Sequence, residues 1–397
     1  MVDGECRALA VWSEDYLRYD FGDHPMSPVR LDLTMRLARE AGVLERLDVV
    51  PPTAADDDEL LTIHDAAYLD ALREASENPG YEGHGLGSDD NPVFPGMFDA
   101  AALIAGGSRT AARALVEGTA THAVNLAGGL HHAMRDRASG FCLINDAVLA
   151  IRTLLAAGYE RIAYVDVDVH HGDGVQAAFD ADPRVLTVSL HQDPRTLFPG
   201  TGMPSEVGHG DAAGTVVNIA LPPGTADRGW LRAFASVVPG VVRAFRPQVL
   251  VTQGGCDTHR DDPLANLGLS VDAQARAVAL CHDLAHEVTE GRWLALGGGG
   301  YNILRCVPRT WTQVLATASG APVPLTREIP PGWTRYLRDR GVTSALPERF
   351  GELPPGDSHL VVEPWAPGGD SWLDRAIGAT RNAVFPLLGL DPDDPRD

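Results

Sequence analysis

The segment from Asp166 to Asp173 is the part of this sequence best equipped for chemistry. It reads Asp-Val-Asp-Val-His-His-Gly-Asp and directly follows a short apolar run. Alternate residues of a strand share a face, so Asp166, Asp168 and His170 would point to one side if the strand continues. Buried polar side chains need a partner, and aspartate with histidine suits zinc or another borderline divalent metal. A solvent-exposed turn whose acidic residues have no function explains less well why so many aspartates and histidines stand together in this segment.

A catalytic zinc takes three protein ligands and keeps one position open. Asp168 and His170 supply two ligands, so the third must come from elsewhere in the chain. Asp257 is the candidate, because it follows an apolar run and a Gly-Gly pair that permits close backbone approach. Taken alone, an aspartate in that place is more often a helix N-cap.

Two further segments supply groups that could move protons or stabilise charge. His131 and His132 follow a glycine pair, and two histidines beside a metal can act as general base and general acid. Asp166 and Asp173 are the carboxylates expected to orient them. Tyr301 follows four glycines, and its phenol could donate a hydrogen bond to a developing oxyanion. A tyrosine that merely caps the core explains that residue equally well.

Short apolar runs precede these segments and predict the strands that position them. The predicted strands are His122–Leu126, Arg161–Val165, Val185–Leu190, Gln248–Thr252 and Arg292–Leu296. The predicted helices are Phe98–Val116, Asp146–Ala157, Trp230–Phe245, Val271–Glu290 and Trp372–Val384. This alternation predicts an α/β fold with a mostly parallel sheet covered by helices on both faces. Ligands bind at the carboxyl ends of such strands, so we expect the segments to converge on one cleft.

Turn-forming residues and proline content indicate the remaining organisation. Residues 50–57 and 74–95 are predicted surface loops. Proline and glycine become frequent after about residue 320. We therefore predict a catalytic domain over residues 1–320 and a C-terminal extension, residues 321–397, packed on it.

Composition limits the classes of partner. The 397 residues carry 54 acidic against 32 basic side chains, a net charge of -22. Such a charge disfavours nucleic acid and anionic membranes and suits a cationic substrate, although solubility alone explains most of the acids. Five cysteines without a CxxC pair argue against a disulfide framework or a cysteine-based zinc site, and they suit the cytoplasm. No secretory signal or membrane span is recognisable.

Taken together, these segments resemble class I histone deacetylases. The matching motifs are HPMSPVR, AGGLHHA, SGFCLINDA, YVDVDVHHGDGV, SLHQ, FPGTG, GGCD and LGGGGYN. The resemblance covers roughly residues 8–315, and GLGSDDNPVFPGMF with the C-terminal extension looks most like the bacterial acetoin-utilisation deacetylases. It implies the arginase/deacetylase fold, a single α/β domain around a parallel sheet.

The resemblance also implies roles for individual residues. Zinc would be bound by Asp168, His170 and Asp257, and iron(II) could replace it. The catalytic set would be His131, His132, Asp166, Asp173 and Tyr301, with His132 as the main general base and acid. Potassium would be bound beneath the zinc site by Asp166, Asp168, His170, Ser189 and Leu190. A second potassium site at Phe179, Asp182, Val185 and Thr215 is left open, because Thr215 replaces a family aromatic.

A narrow channel for an acyl-lysine stem is a further implication of the resemblance. Phe141 and Phe198 would wall it, Gly140 would line it, and Leu264 would lie at its rim. Asp90 would hold the substrate backbone, with Asp89 as the alternative. Arg30 would lie near a product-exit channel.

The predicted reaction is removal of acetyl or another acyl group from the side-chain amine of lysine in proteins or peptides. The alternative substrate is an acetylpolyamine or another small N-acetyl amide, which Leu264 mildly disfavours because a glutamate there would favour polyamines. A remote alternative is an arginase-like manganese ureohydrolase, but Gly172 and His259 stand where its second metal needs carboxylates. A non-catalytic acyl-lysine binding module is equally remote, since no ligand, catalytic histidine or tyrosine is missing. The oligomeric state is not predicted.

Overall fold

The chain folds around an eight-stranded parallel sheet. The structure is a computed structural model, which describes residues 6–354, 356–357 and 360–397. The strands are β1 (Ala8–Val11), β2 (Asp48–Val50), β3 (His122–Asn125), β4 (Ile162–Asp166), β5 (Val185–Gln192), β6 (Val216–Leu221), β7 (Val249–Gln253) and β8 (Trp293–Leu296). Their order is β2-β1-β3-β8-β7-β4-β5-β6, and every pair is parallel. The predicted α/β fold is confirmed.

Helices cover the sheet in two groups. They are α1 (Val29–Glu40), α2 (Asp57–Leu61), α3 (Ala66–Glu77), α4 (Met97–Val116), α5 (Asp146–Ala156), α6 (Asp173–Phe179), α7 (Asp227–Phe245), α8 (Val271–Val288), α9 (Val307–Ala318), α10 (Pro331–Asp339) and α11 (Trp372–Val384). Helix α4 packs on α5, whereas α1, α9, α8 and α7 form a separate row. Strands β4, β5 and β7 are buried along their whole length, as double coverage requires.

All five predicted strands and all five predicted helices occur, with ends displaced by at most three residues. Strands β1, β2 and β6 and six of the helices were not predicted. The loop prediction for residues 50–57 ends at α2, where Asp56 accepts a hydrogen bond from the backbone of Glu59 and starts the helix. The loop predicted from residue 74 begins later, because α3 continues to Glu77.

Residues after 320 pack against the rest of the chain through buried polar and aromatic groups. Trp333 of α10 is fully buried and donates to the backbone carbonyl of Leu33, 2.9 Å away. Thr380 of α11 donates to the carbonyl of Asn218 on β6, 2.7 Å away. Helix α11 thereby covers β6, an edge strand of the sheet. Within the described ranges, we find no helix with the length and apolarity needed to cross a membrane.

Candidate active site

The polar segments singled out in the sequence meet at one edge of the sheet. Strands β3, β8, β7 and β4 are consecutive neighbours, so their carboxyl ends lie side by side. The chain leaves these ends as the loops that carry His131, Tyr301, Asp257 and Asp168 respectively. The expected convergence on one cleft is therefore present.

Strand β4 stops at Asp166, so the condition for a strand face shared by Asp166, Asp168 and His170 is not met. The carboxylate of Asp166 accepts a hydrogen bond from the backbone N–H of Asp168 at 3.1 Å. The carboxylate of Asp168 accepts in turn from the N–H of His170 at 3.0 Å. Each aspartate thus bonds to the backbone two residues ahead, which turns the chain rather than extending it. The turn, not a shared strand face, brings these groups together.

Three buried side chains form a compact set of metal-ligating atoms. His170 Nδ1 lies 3.0 Å from Asp168 Oδ1 and 3.3 Å from Asp257 Oδ2. Asp257 Oδ2 is buried and has no hydrogen-bond partner among the described residues. Such an orphaned carboxylate oxygen needs a cation, and two carboxylates with one imidazole suit zinc or iron(II). The N-cap alternative for Asp257 does not hold, because the next helix begins at Val271.

The electrostatics of the three groups also favour a bound cation. Burial, together with the nearby carboxylate of Asp168, raises the pKa of Asp257 to about 8. Burial lowers the pKa of His170, but the carboxylates of Asp168 and Asp257 outweigh it and raise this pKa to about 10. Two buried carboxylates this close repel each other, and a divalent cation relieves that repulsion.

Hydrogen bonds from three other residues hold the two carboxylates in place. Gln253 Nε2 and the backbone N–H of Gly299 both donate to Asp168 Oδ2, each at 2.8 Å. The backbone N–H of Val169 donates to Asp257 Oδ1 at 2.9 Å. Sequence reasoning missed Gln253. The signal for it was a glutamine at the last position of the buried strand β7, which marks a polar strand end but not the partner of the side chain.

The two histidines form a pair in which each ring is bonded to its own carboxylate. His131 Nδ1 lies 2.7 Å from Asp166 Oδ2, and His132 Nδ1 lies 2.6 Å from Asp173 Oδ1. The two Nε2 atoms are 3.0 Å apart. Tyr164 was missed by sequence reasoning, and its hydroxyl donates to Asp166 Oδ2 at 2.7 Å. Asp166 and Asp173 therefore occupy the orienting positions expected of them.

The pair is electrostatically asymmetric. Burial lowers the pKa of His131, but Asp166 and Asp168 outweigh burial and raise it to about 9. Burial and the neighbouring His131 lower the pKa of His132 to about 4, against the opposing effect of Asp173. One ring of the pair is thus suited to hold a proton while the other presents a lone pair.

Tyr301 is held at the cleft by a buried aspartate that sequence reasoning missed. Asp262 accepts from the backbone N–H of Tyr301 at 2.9 Å and from that of Leu264 at 3.0 Å. The Tyr301 ring meets Phe141 edge-on, with centroids 5.8 Å apart. Burial, then the carboxylates of Asp257 and Asp168, raise the pKa of Tyr301, so its phenol stays protonated and able to donate.

Gly140 and Phe198 line the approach to the histidine pair. A Cβ on Gly140 would lie 2.5 Å from His132 Cδ2 and 2.9 Å from Phe198 Cε1, and the residue has φ +51°. Only glycine fits so close an approach. Phe198 is exposed on its outer side and meets the ring of His132 with centroids 5.0 Å apart.

The loop carrying Asp89 and Asp90 lies at the mouth of the same cleft. Both aspartates are exposed. His24 hydrogen-bonds to the backbone of Asp89, and its ring meets Phe141 with centroids 4.5 Å apart. Leu264 is half-buried and shares the carboxylate of Asp262 with Tyr301.

Arg30 lies on the inner side of the glycine run that precedes Tyr301. It is buried, donates to the carbonyl of Gly298 at 2.8 Å, and lies 5.1 Å from the ring centroid of Trp311. An always-charged guanidinium buried this close to the site is suited to an anionic product.

Three of the residues expected to bind potassium, Asp166, Ser189 and Leu190, lie on the neighbouring strands β4 and β5, whereas Asp168 and His170 lie in the turn after β4. Asp166 of β4 pairs in register with Ser189 of β5, and Leu190 follows it in the buried interior. At the second site, the backbone N–H of Val185 donates to the carbonyl of Asp182, and the N–H of Asp182 donates to the carbonyl of Phe179. The carbonyl of Thr215 accepts from the N–H of Thr187, which lies on β5 with Val185. The first potassium site stays a prediction, and the second stays open.

Glycine and histidine stand at the two positions where a ureohydrolase would have carboxylate ligands for its second metal. A Cβ on Gly172 would lie 2.4 Å from Asp166 Oδ2, so a carboxylate side chain does not fit there. His259 Nε2 is 3.1 Å from a carboxylate oxygen of Glu352, in the C-terminal part of the chain. The site offers ligands for one metal ion of the ureohydrolase pair and not for two.

Comparison with known proteins gives a consistent result. Residues 24–318 match the histone deacetylase domain. The acetoin utilization protein AcuC of Bacillus subtilis (strain 168) is 41% identical over 331 residues, which is 82% of this chain and 85% of that protein. AcuC of Staphylococcus aureus (strain MRSA252) is 38% identical over 318 residues, 79% of this chain and 82% of that protein.

A solved structure agrees with these relatives. The crystal structure of an HDAC homologue complexed with SAHA superposes with a TM-score of 0.80 at 30% sequence identity, covering 94% of this chain and all of that one. The agreement extends beyond the catalytic loops to most of both chains. This chain therefore belongs to the histone deacetylase family and is an amide hydrolase with the arginase/deacetylase fold.

Proposed function

We propose that this protein removes acetyl groups from the side-chain amine of lysine in proteins or peptides, with zinc held by Asp168, His170 and Asp257. The observation that carries the proposal is the histidine pair, whose Nε2 atoms are 3.0 Å apart beside an orphaned metal-ligating carboxylate oxygen. When bound, zinc would polarise the amide carbonyl and lower the pKa of a bound water. Iron(II) would serve in the same ligand set.

The protein's own groups would handle the protons and the developing charge. His132, whose Nε2 lies 3.0 Å from that of His131, would accept the proton of the attacking water, while Asp173 holds its other nitrogen. His131, which Asp166 and Asp168 keep basic, would stabilise the pair electrostatically. Tyr301 would donate a hydrogen bond to the carbonyl oxygen as negative charge builds on it. The protonated histidine would then return a proton to the leaving amine.

Features of the channel support an acyl-lysine substrate. Phe141 and Phe198 offer aromatic walls to a four-carbon stem, and Gly140, which packs closely against His132 and Phe198, would line the channel. At the rim, the exposed carboxylate of Asp90, or of Asp89, would accept hydrogen bonds from the substrate backbone. Position 264 is a leucine and offers no carboxylate to the second ammonium group of a polyamine, which disfavours a polyamine substrate.

Deacetylation of acetylpolyamines or another small N-acetyl amide is the second candidate, and the net charge of -22 favours it as much as it favours a basic peptide. Acetate release should be measured side by side on an acetyl-lysine peptide, acetylspermidine and a small acetylated metabolite. We expect the highest kcat/KM with the peptide. Leu264→Glu should shift the ratio towards acetylspermidine, and Asp257→Asn is the inactive control. A higher kcat/KM of the unmodified protein for acetylspermidine would favour the second candidate.

Several supporting assignments belong to the same proposal. Potassium would be bound beneath the zinc site by Asp166, Asp168, His170, Ser189 and Leu190, and Arg30 would guide acetate out of the site. Residues 1–320 would form the catalytic domain and residues 321–397 an extension, which agrees with a family match that ends at residue 318. A cytoplasmic location is supported by the cysteine pattern, in which four of five thiols are buried.

A further inference from the structure

A second cluster of metal-ligating side chains lies at the amino ends of the strands, opposite the active site at their carboxyl ends. Cys6 precedes β1, His122 is the first residue of β3, and His282 and His286 lie one turn apart on α8. Their ligating atoms all lie within 4.8 Å of one another. Strands β1 and β3 are neighbours, and the cluster lies at their amino ends, whereas the active site is built on carboxyl ends.

The distances within the cluster match those between the ligands of a tetrahedral metal. His282 Nε2 and His286 Nε2 are 3.2 Å apart, and Cys6 Sγ lies 3.9 Å and 3.7 Å from them. With zinc–nitrogen bonds of about 2.1 Å and a zinc–sulfur bond of about 2.3 Å, a tetrahedron has edges of about 3.4 Å between nitrogens and about 3.6 Å between nitrogen and sulfur. The observed nitrogen–nitrogen separation is about 0.2 Å shorter than its ideal value, and the two nitrogen–sulfur separations are about 0.1 Å and 0.3 Å longer than theirs.

His122 is fixed in the orientation of a ligand. Its Nδ1 donates to the carbonyl of Ala318 at 2.7 Å, which leaves the lone pair on Nε2. That Nε2 is buried and has no hydrogen-bond partner in the described part of the chain. The ring centroid lies 4.9 Å from that of His282 and 5.0 Å from that of His286. A backbone carbonyl that holds the second nitrogen is the usual support of a metal-binding histidine.

The chain packs closely against the cluster. Glycines pack against the ligands: a Cβ at Gly291 would lie 3.2 Å from His286, and one at Gly320 would lie 3.3 Å from Cys6 Sγ.

We propose that Cys6, His122, His282 and His286 bind a second metal ion, for which Zn²⁺ is the best-suited occupant. One thiolate and three imidazoles complete a tetrahedron without an open position, so the site would be structural rather than catalytic. The ion would tie the start of β1 and the start of β3 to helix α8. The absence of a CxxC pair argued against a cysteine-based zinc site. However, these ligands come from three separate segments, so that pattern does not test for them.

Metal stoichiometry tests the proposal directly. The full chain, freed of any affinity tag and desalted after exposure to zinc, should contain two zinc ions per chain. Cys6→Ser and His286→Gln should each reduce the content to about one, and Asp257→Asn should also leave about one, at the cluster. Cys281→Ala, a neighbouring thiol on α8, and His209→Gln, an exposed histidine elsewhere, are matched controls that should keep two. One zinc per chain that Asp257→Asn removes would overturn the proposal.

Cobalt substitution identifies the sulfur ligand independently of activity. The active-site ligands include no thiolate, so a thiolate-to-cobalt charge-transfer band in the near ultraviolet reports only on the cluster. We expect this band in the unmodified protein and in Asp257→Asn, and we expect it to be lost in Cys6→Ser. Absence of the band, or its persistence in Cys6→Ser, would refute the assignment of Cys6.

Discussion

Gly140→Ala is expected to disable catalysis while leaving the fold largely intact. The added methyl would lie 2.5 Å from His132 Cδ2, so a normal carbon–carbon separation of about 3.5 Å requires the ring to move by about 1 Å. Such a shift disturbs the 2.6 Å bond to Asp173 and the 3.0 Å contact with His131. A 1 Å misplacement of a catalytic group costs about 100-fold in rate, equivalent to about 2.7 kcal/mol in the activation free energy.

Backbone strain has to be separated from this steric effect. Gly140 has φ +51°, and an alanine in the left-handed region costs about 1–2 kcal/mol of stability. Gly118 has φ +67° and no atom within 4 Å of the place that an added methyl would take, so Gly118→Ala carries the strain without the clash. Steady-state kinetics on an acetyl-lysine peptide and urea unfolding should be measured on both variants. A kcat/KM of Gly140→Ala within about threefold of the Gly118→Ala value would show that the added methyl does not displace His132.

Three further perturbations test the remaining parts of the site and its support. Tyr301→Phe should lower kcat about 100-fold or more with unchanged zinc content, because an oxyanion donor is lost. Unaltered turnover would remove Tyr301 from the mechanism. A chelator should abolish acetate release, and added zinc should restore it in the unmodified protein but not in Asp257→Asn. Burial raises the pKa of Glu352, but His259 and Arg309 outweigh it and hold this pKa well below its ordinary value. Glu352→Gln should therefore cost about 3 kcal/mol of stability at pH 7. That difference should shrink as the pH falls below about 4, where the glutamate of the unfolded chain becomes protonated. A constant difference in denaturant unfolding across pH would contradict this ion pair's role.

The carboxyl ends of buried strands were the predictable part of this protein. Runs such as that of β4 are apolar because helices cover both faces of the sheet, and each run ends where polar residues begin. Asp168, His170 and Asp257 could be predicted as a ligand set because each follows a buried strand, and the structure brings their ligating atoms together. The end of β4 was predicted to within one residue, but the turn after it was not, since the hydrogen bond from Asp168 to Asp166 has no sequence signature distinct from continued alternation.

The supporting residues could not be predicted, because their partners are distant in sequence. Gln253 bonds to Asp168, 85 positions away, and Asp262 bonds to Tyr301, 39 positions away. Each is an ordinary polar residue locally, and only the order of the strands brings it to its partner. Strand order depends on the packing of helices over the whole sheet, which no short segment encodes.

The cluster around Cys6 shows the same limit more sharply. Sequence rules for zinc sites detect ligands that are close in the chain, because two cysteines in a short loop can bind one ion without any tertiary structure. Here only His282 and His286 are close, one turn apart on α8, and this spacing alone is common on helices. The parallel pairing of β1 with β3 supplies the other two ligands, by placing Ala8 opposite His122. A metal bound there would stabilise that pairing only after the sheet has formed, which is consistent with a site that follows from the fold and does not direct it.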